Sequence, residues 1–205
     1  MQLREYFDAC LNADYEQGEN GASWATEMHG DELWILFEKS NGMEDWLNNL
    51  QFHTVPYREM NPIWQCHGGF LKVWKSAKPY LEEPVIRAVR ENKKILVIGY
   101  SHGAALSVLC VEWIWYHFPS VRTRLFGYGF GCPRVLYGCA SPALAQRWRN
   151  FYVIRNIDDA VTHLPPRVMG YCHVGNLITV GADGRYSPLA AHRPESYLAV
   201  LGEDL

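Results

Sequence analysis

Five residues, Gly99-Tyr100-Ser101-His102-Gly103, limit what this 205-residue chain can fold into more than any other stretch. Before them, Ile95-Leu96-Val97-Ile98 is apolar on both faces and largely β-branched, the pattern of a central parallel strand covered on either side. After them, Ala104–Tyr116 is an apolar run that reads as a helix. A strand that turns straight into a helix through G-x-S-x-G forms a nucleophile elbow. The turn is so tight that side chains on the flanking positions would clash, so glycines stand there and Ser101 is pushed out to where a substrate can reach it. The helix then aims free N–H groups and the positive end of its dipole at the point where an oxyanion would form. The competing reading is a glycine-rich connection that happens to carry a surface serine; the strand before and the helix after favour the elbow.

Around this unit the chain alternates strands and helices, with Gly or Pro at the joints. Ser23–His29 and Leu33–Phe37 read as a hairpin about Gly30-Asp31-Glu32. A helical run from Gly68 is interrupted by Pro79 and resumes over Leu81–Glu91, and His53–Asn61 reads as irregular. Leu125–Phe130, Phe151–Asn156 and Leu177–Val180 are further strands. Ser141 caps a helix that has Pro142 in its first position, and Arg193–Leu201 closes the chain as another helix. This order predicts an α/β layered fold with a mostly parallel sheet, as one domain over residues 1–205.

Composition narrows the function classes. A net charge of −3, from 19 basic and 22 acidic residues, gives no electrostatic case for a nucleic-acid partner. The six cysteines (Cys10, Cys66, Cys110, Cys132, Cys139 and Cys172) lack C-x-x-C or metal-ligand spacing, so no metal is expected. No segment reaches transmembrane length and the first twenty residues lack the apolar core of a signal peptide. The chain as given therefore reads as cytoplasmic, and no feature of it sets an oligomeric state.

A serine hydroxyl needs a neighbouring base to take its proton, and that base needs an acid to hold its tautomer. Downstream of Ser101 the acids that follow a strand are Asp158 and Asp159, and the histidines beyond them are His163, His173 and His192. His102 is a rival base by type, although facing away from Ser101 suits its place at a helix start.

Five stretches in order resemble the class 3 (fungal-type) lipase family, from about Leu33 to Leu201. They are the elbow with Ala104 and Ala105; Phe37-Glu38-Lys39-Ser40 with Asp45-Trp46-Leu47; His67-Gly68-Gly69-Phe70-Leu71; Gly129–Val135; and Asn156–Val161 with His163–Pro166. The resemblance implies an α/β-hydrolase fold and a serine carboxylic ester hydrolase acting on acylglycerol or simpler lipid esters, without a cofactor. It places Ser101 as nucleophile and Asp159, at the N-x-x-D position that Asp158 misses by one, as acid. His192, in His192-Arg193-Pro194-Glu195-Ser196-Tyr197, becomes the base. The oxyanion donors become the backbone N–H of His102 and a group on Ser40, with His163 and His173 structural. Glu38-Lys39-Ser40 departs from the family's R-G-T, placing an anion where the family has a cation.

Met43, Trp46, Leu47 and Leu50 form one stripe of a short helix. By the resemblance, residues 41–50 are a small lid that could meet a lipid interface transiently; by periodicity alone the stripe is an ordinary core-facing helix. The Glu38-Lys39 departure is the one feature that favours a non-catalytic lipid-binding or interaction module retaining the fold.

Overall fold

In the computed structural model, residues 3–38, 52–138 and 140–202 are described. The strands run β1 (Glu16–Gln17), β2 (Ser23–His29), β3 (Glu32–Phe37), β4 (Thr54–Tyr57), β5 (Trp64–His67) and β6 (Lys94–Tyr100), then β7 (Leu125–Phe130), β8 (Leu136–Tyr137), β9 (Phe151–Asn156), β10 (Tyr171–Cys172) and β11 (Asn176–Val180). The α-helices are α1 (Leu3–Asn12), α2 (Gly68–Arg90), α3 (His102–His117), α4 (Pro142–Ala145) and α5 (Pro194–Leu201). One sheet has the order β1-β2-β3-β6-β7-β9-β11, and a smaller one the order β10-β8-β5-β4. From β3 to β11 every pairing in the large sheet is parallel, and the β2–β3 hairpin adds an antiparallel edge. The expected α/β fold with a mostly parallel sheet is the observed one.

Strand alternation sorts the side chains into two cores, one on each face. Leu33, Ile35, Phe37, Ile95, Val97, Phe151 and Val153 face α2 and α3. Trp34, Leu36, Leu96, Ile98, Tyr100, Phe130 and Ile154 face α1 and α5. The elbow helix α3 is buried at every residue from His102 to Ile114, which explains why its sequence is apolar all round rather than striped. On β7, Gly127 and Gly129 keep that approach open. A Cβ at Gly127 would stand 2.3 Å from the Phe151 ring and 2.8 Å from Val111.

Two local expectations fail for identifiable reasons. Helix α2 runs unbroken through Pro79 and Pro84. Each internal proline costs about 3 kcal/mol, but Phe70, Trp74, Ala77, Leu81, Val85 and Ala88 form one continuous buried stripe across both, and that packing holds the helix. The stretch read as irregular contains β4. Pro56 is tolerated there because β4 is the outer strand of the smaller sheet, where a missing N–H breaks no ladder.

A buried ion pair fastens α3 to the following segment. The Arg147 guanidinium bonds the Glu112 carboxylate and the Asn61 carbonyl, with Glu112 0% and Arg147 4% exposed. Burial lifts the Glu112 carboxyl to about 7, against the pull of Arg147. A folded-state value above the unfolded one means the folded chain holds the proton more tightly. The contribution from Glu112 is therefore fullest below about pH 4.5 and is lost as pH rises through 7. Arg147→Met strands that carboxylate and is expected to cost about 3–5 kcal/mol, with the deficit growing toward alkaline pH; urea unfolding at two pH values measures it.

Candidate active site

Strand β6 runs directly into α3 through Ser101, whose backbone sits at φ 57° and ψ −121°. That strained conformation costs on the order of 1–3 kcal/mol and survives because its surroundings enforce it. The flanking glycines are required, as expected. A Cβ at Gly99 would lie 2.3 Å from the Gly103 carbonyl oxygen, and one at Gly103 would lie 2.2 Å from the Phe37 carbonyl and 2.5 Å from that of Glu38. Backbone atoms cannot swing aside as a side chain can. Gly103→Ala is therefore expected to lower stability by about 3 kcal/mol, read as a fall in the thermal unfolding midpoint.

Three side chains far apart in sequence converge at the elbow. His192 Nε2 lies 2.8 Å from Ser101 Oγ, and His192 Nδ1 lies 2.7 Å from Asp159 Oδ2. Asp159 is carried past the C-terminal end of β9, and His192 arrives just before α5. All three are buried, at 1% exposure or less. With little water present, the Asp159 charge acts on the imidazole with little screening. The burial corrects one expectation: the elbow directs the Ser101 hydroxyl into the His192 ring rather than into solvent.

A further set of contacts, which sequence reasoning did not single out, fixes this relay. Tyr197 donates its hydroxyl to Asp159 Oδ2 at 2.7 Å and accepts the Asn156 N–H at 3.1 Å. The Val161 N–H donates to Asp159 Oδ1 at 2.9 Å. Tyr100 stacks on the His192 ring with centroids 5.4 Å apart and donates its hydroxyl to the His192 carbonyl. Asn156 Nδ2 bonds the Ala191 carbonyl. The signal for them was position: Tyr100 immediately precedes the serine, and Asn156 opens the N-x-x-D stretch. Tyr197→Phe removes a hydrogen bond to a carboxylate and is expected to cost about 1.5–3 kcal/mol of stability. The urea midpoint measures the loss.

Asp158 is settled by its partners. Its two carboxylate oxygens accept the Gly184 and Tyr186 N–H groups, so it braces a turn. His102 is 7% exposed and packs its ring 5.6 Å from Phe70. Burial, and then the nearby His67, push its imidazole down to about 4, so it stays neutral at ordinary pH. Its backbone N–H opens α3, where the first amides of a helix lack intrahelical acceptors. His173 is bonded to the Thr162 carbonyl and His163 stands beside Arg134. Ser40, Met43, Trp46, Leu47 and Leu50 lie outside the described residues.

Glu38, the anion that replaces the family's cation, has its carboxylate bonded by Ser23 Oγ at 2.6 Å and Gln17 Nε2 at 3.4 Å. Both partners lie on the β2 and β1 side of β3, away from β6 and the elbow. Among the described residues no group of three His, Cys, Asp or Glu side chains is placed to hold a metal ion, and no helix is long and apolar enough to cross a membrane.

A parallel sheet, an elbow serine and a His–Asp pair bonded in series to it define an α/β-hydrolase fold with a serine-centred relay. The class 3 lipase profile matches residues 34–169, more than half of the sequence, and the chain belongs to that family. It is 29% identical to a lipase of Rhizomucor miehei over 155 residues, 70% of this chain and 40% of that protein. It is 27% identical over 160 residues to secreted mono- and diacylglycerol lipase 1 of Fusarium solani, 75% of this chain and 45% of that protein. The chain thus spans less than half the length of these two relatives. In three dimensions it superposes with a TM-score of 0.73 on a triacylglycerol lipase whose catalytic centre is described as a serine protease triad, at 22% identity, covering 91% of this chain and 75% of that one. The cytoplasmic expectation is overturned by the Fusarium solani relative, which is named as a secreted protein.

Proposed function

We propose that this chain is a serine carboxylic ester hydrolase of lipase type, in which Ser101, His192 and Asp159 carry the chemistry. The observation that supports this most is the bonded series Ser101–His192–Asp159 at a strained strand-to-helix turn. His192 Nε2 takes the hydroxyl proton as Ser101 Oγ attacks the ester carbonyl, and Asp159 holds the proton on Nδ1 and steadies the imidazolium. The His102 N–H, at the positive end of α3, donates to the developing oxyanion, and the family match alone supplies Ser40 as second donor. His192 then returns its proton to the departing alkoxide. Water, activated by the same imidazole, releases the acyl group from Ser101. No step calls for a metal or an organic cofactor.

The substrate class is an acyl ester of lipid kind, and the mono- and diacylglycerol named for the Fusarium solani relative is the first to try. Residues 41–50 serve as the lid in this reading, by family match only, and transient contact with a lipid interface follows from it. The two cores share one sheet, which supports reading residues 1–205 as one domain. Against the non-catalytic alternative, the Glu38 carboxylate of the Glu38-Lys39 departure is engaged by Ser23 and Gln17 rather than aimed at the elbow. A fluorophosphonate probe, which reacts only with an activated serine, tests the reading. Labelling should occur on Ser101, together with hydrolysis of monoacylglycerol and of p-nitrophenyl esters from short to long chain. An unlabelled, correctly folded protein that hydrolyses none of these esters overturns it.

A further inference from the structure

On a chain of net charge −3, one surface cavity of about 450 Å³ is lined by three arginines, Arg134, Arg155 and Arg167, together with His173, Cys172 and Leu177. None of the three guanidiniums forms an ion pair with a carboxylate among the described residues. Arg134 spends its donors on the His163 and Pro165 carbonyls, and Arg155 bonds the Thr179 hydroxyl at 3.1 Å. Arg155 Nε is sheltered from solvent and has no hydrogen-bond partner. Burial first, and then Arg167 and Arg155, loosen the hold of Arg134 on its proton, while burial, and then Arg134, Arg155 and His163, push His173 down to about 4. The cluster is therefore a set of mutually repelling cations around one surface cavity, and an anion there would relieve the repulsion. Planar guanidiniums match the tetrahedral oxygens of a phosphate through paired N–H bonds.

The rim of the cavity is apolar where a surface is normally polar. Arg167, Val168 and Met169 form a single turn ended by Gly170 at φ 89°. Val168 at its tip is 96% exposed, Met169 44%, and Leu177 49%. Cations set beside protruding apolar side chains are the combination that binds an anionic lipid surface, the cations meeting head groups and the apolar tips entering between them. From the unpaired arginines and this rim we infer that the Arg134–Arg155–Arg167 cavity binds the phosphate of an anionic phospholipid at a lipid surface. Its lining does not include Ser101, Asp159 or His192, and the inference does not depend on the ester-hydrolase reading.

Flotation with vesicles tests it, using the Ser101→Ala chain so that no hydrolysis alters the lipid. Vesicles of phosphatidylcholine alone are compared with phosphatidylcholine mixed with phosphatidic acid. The chain should favour the acidic vesicles. Arg167→Gln and Arg155→Gln should each weaken that binding roughly fivefold, the effect of one surface cation, and Val168→Asp should weaken it as well. Arg90→Gln, at the end of α2 and outside the cavity, should leave it unchanged. Near-ultraviolet circular dichroism of the arginine variants identical to that of the parent chain shows that they are folded. Equal binding to both vesicle types overturns the inference, as does an equal loss with Arg90→Gln, which would mean general charge attraction. Binding of inorganic phosphate with no preference for acidic vesicles overturns the lipid assignment.

Discussion

Ser101→Ala is expected to lower kcat for ester hydrolysis by about 10⁶ while leaving the fold intact. His192→Ala should do the same, and the double variant should be no worse than either one. The relay explains this non-additivity. Ser101 Oγ is 2.8 Å from His192 Nε2, so proton removal and attack are one event, and losing either partner loses all of it. What survives should be the share supplied by binding and by the His102 N–H at the start of α3. Burst kinetics on an activated ester, with near-ultraviolet circular dichroism as a check on folding, measure the effect. Independent, multiplicative losses would show that the two residues do not act as a unit.

Asp159→Asn is expected to cost about 10⁴ in kcat. The carboxylate accepts three hydrogen bonds, from Val161 N at Oδ1 and from Tyr197 and His192 at Oδ2. An asparagine has one acceptor oxygen. If that oxygen keeps Val161, its NH₂ faces His192 Nδ1 and drives the imidazole proton onto Nε2, where it points at the serine and blocks base catalysis. If the amide flips, the buried Val161 N–H loses its partner, at about 1–3 kcal/mol of stability. Asp158→Asn is the control. Its oxygens cap the Gly184 and Tyr186 amides, so turnover should stay near that of the unaltered chain. A loss at position 158 to match that at 159 would reverse the assignment of the acid.

The parts legible in the sequence are those with local causes. Gly99 and Gly103 are demanded by a turn of five residues, and the apolar Ile95–Ile98 run is demanded by two covered faces. The hairpin about Gly30-Asp31 and the strand Phe151–Asn156 form where strand periodicity placed them. Where local signals competed with packing, packing prevailed. Two prolines failed to break α2 because the buried stripe from Phe70 to Ala88 crosses both. The β4 strand formed around Pro56 because an outer position needs no N–H there.

The site divides in the same way. Ser101 as the proposed nucleophile is legible in the sequence alone, since the strained turn is encoded within five residues. Which acid and which histidine serve it does not, because His192 lies 91 residues from Ser101 and 33 from Asp159. Family resemblance could choose Asp159 over its neighbour, but the tertiary structure supplies the cause: one carboxylate receives Tyr197, Val161 and His192, while the other holds a turn. Glu38 was legible only as an anion out of place; the β-sheet order puts Ser23 and Gln17 beside it on the side away from the elbow. The three arginines, separated by up to 33 residues in a chain of negative net charge, carry no sequence signal at all. Hydrophobic pattern and turn chemistry are short-range and are written in order along the chain. Charge pairing and hydrogen bonding between distant loops exist only once folding has brought those loops together.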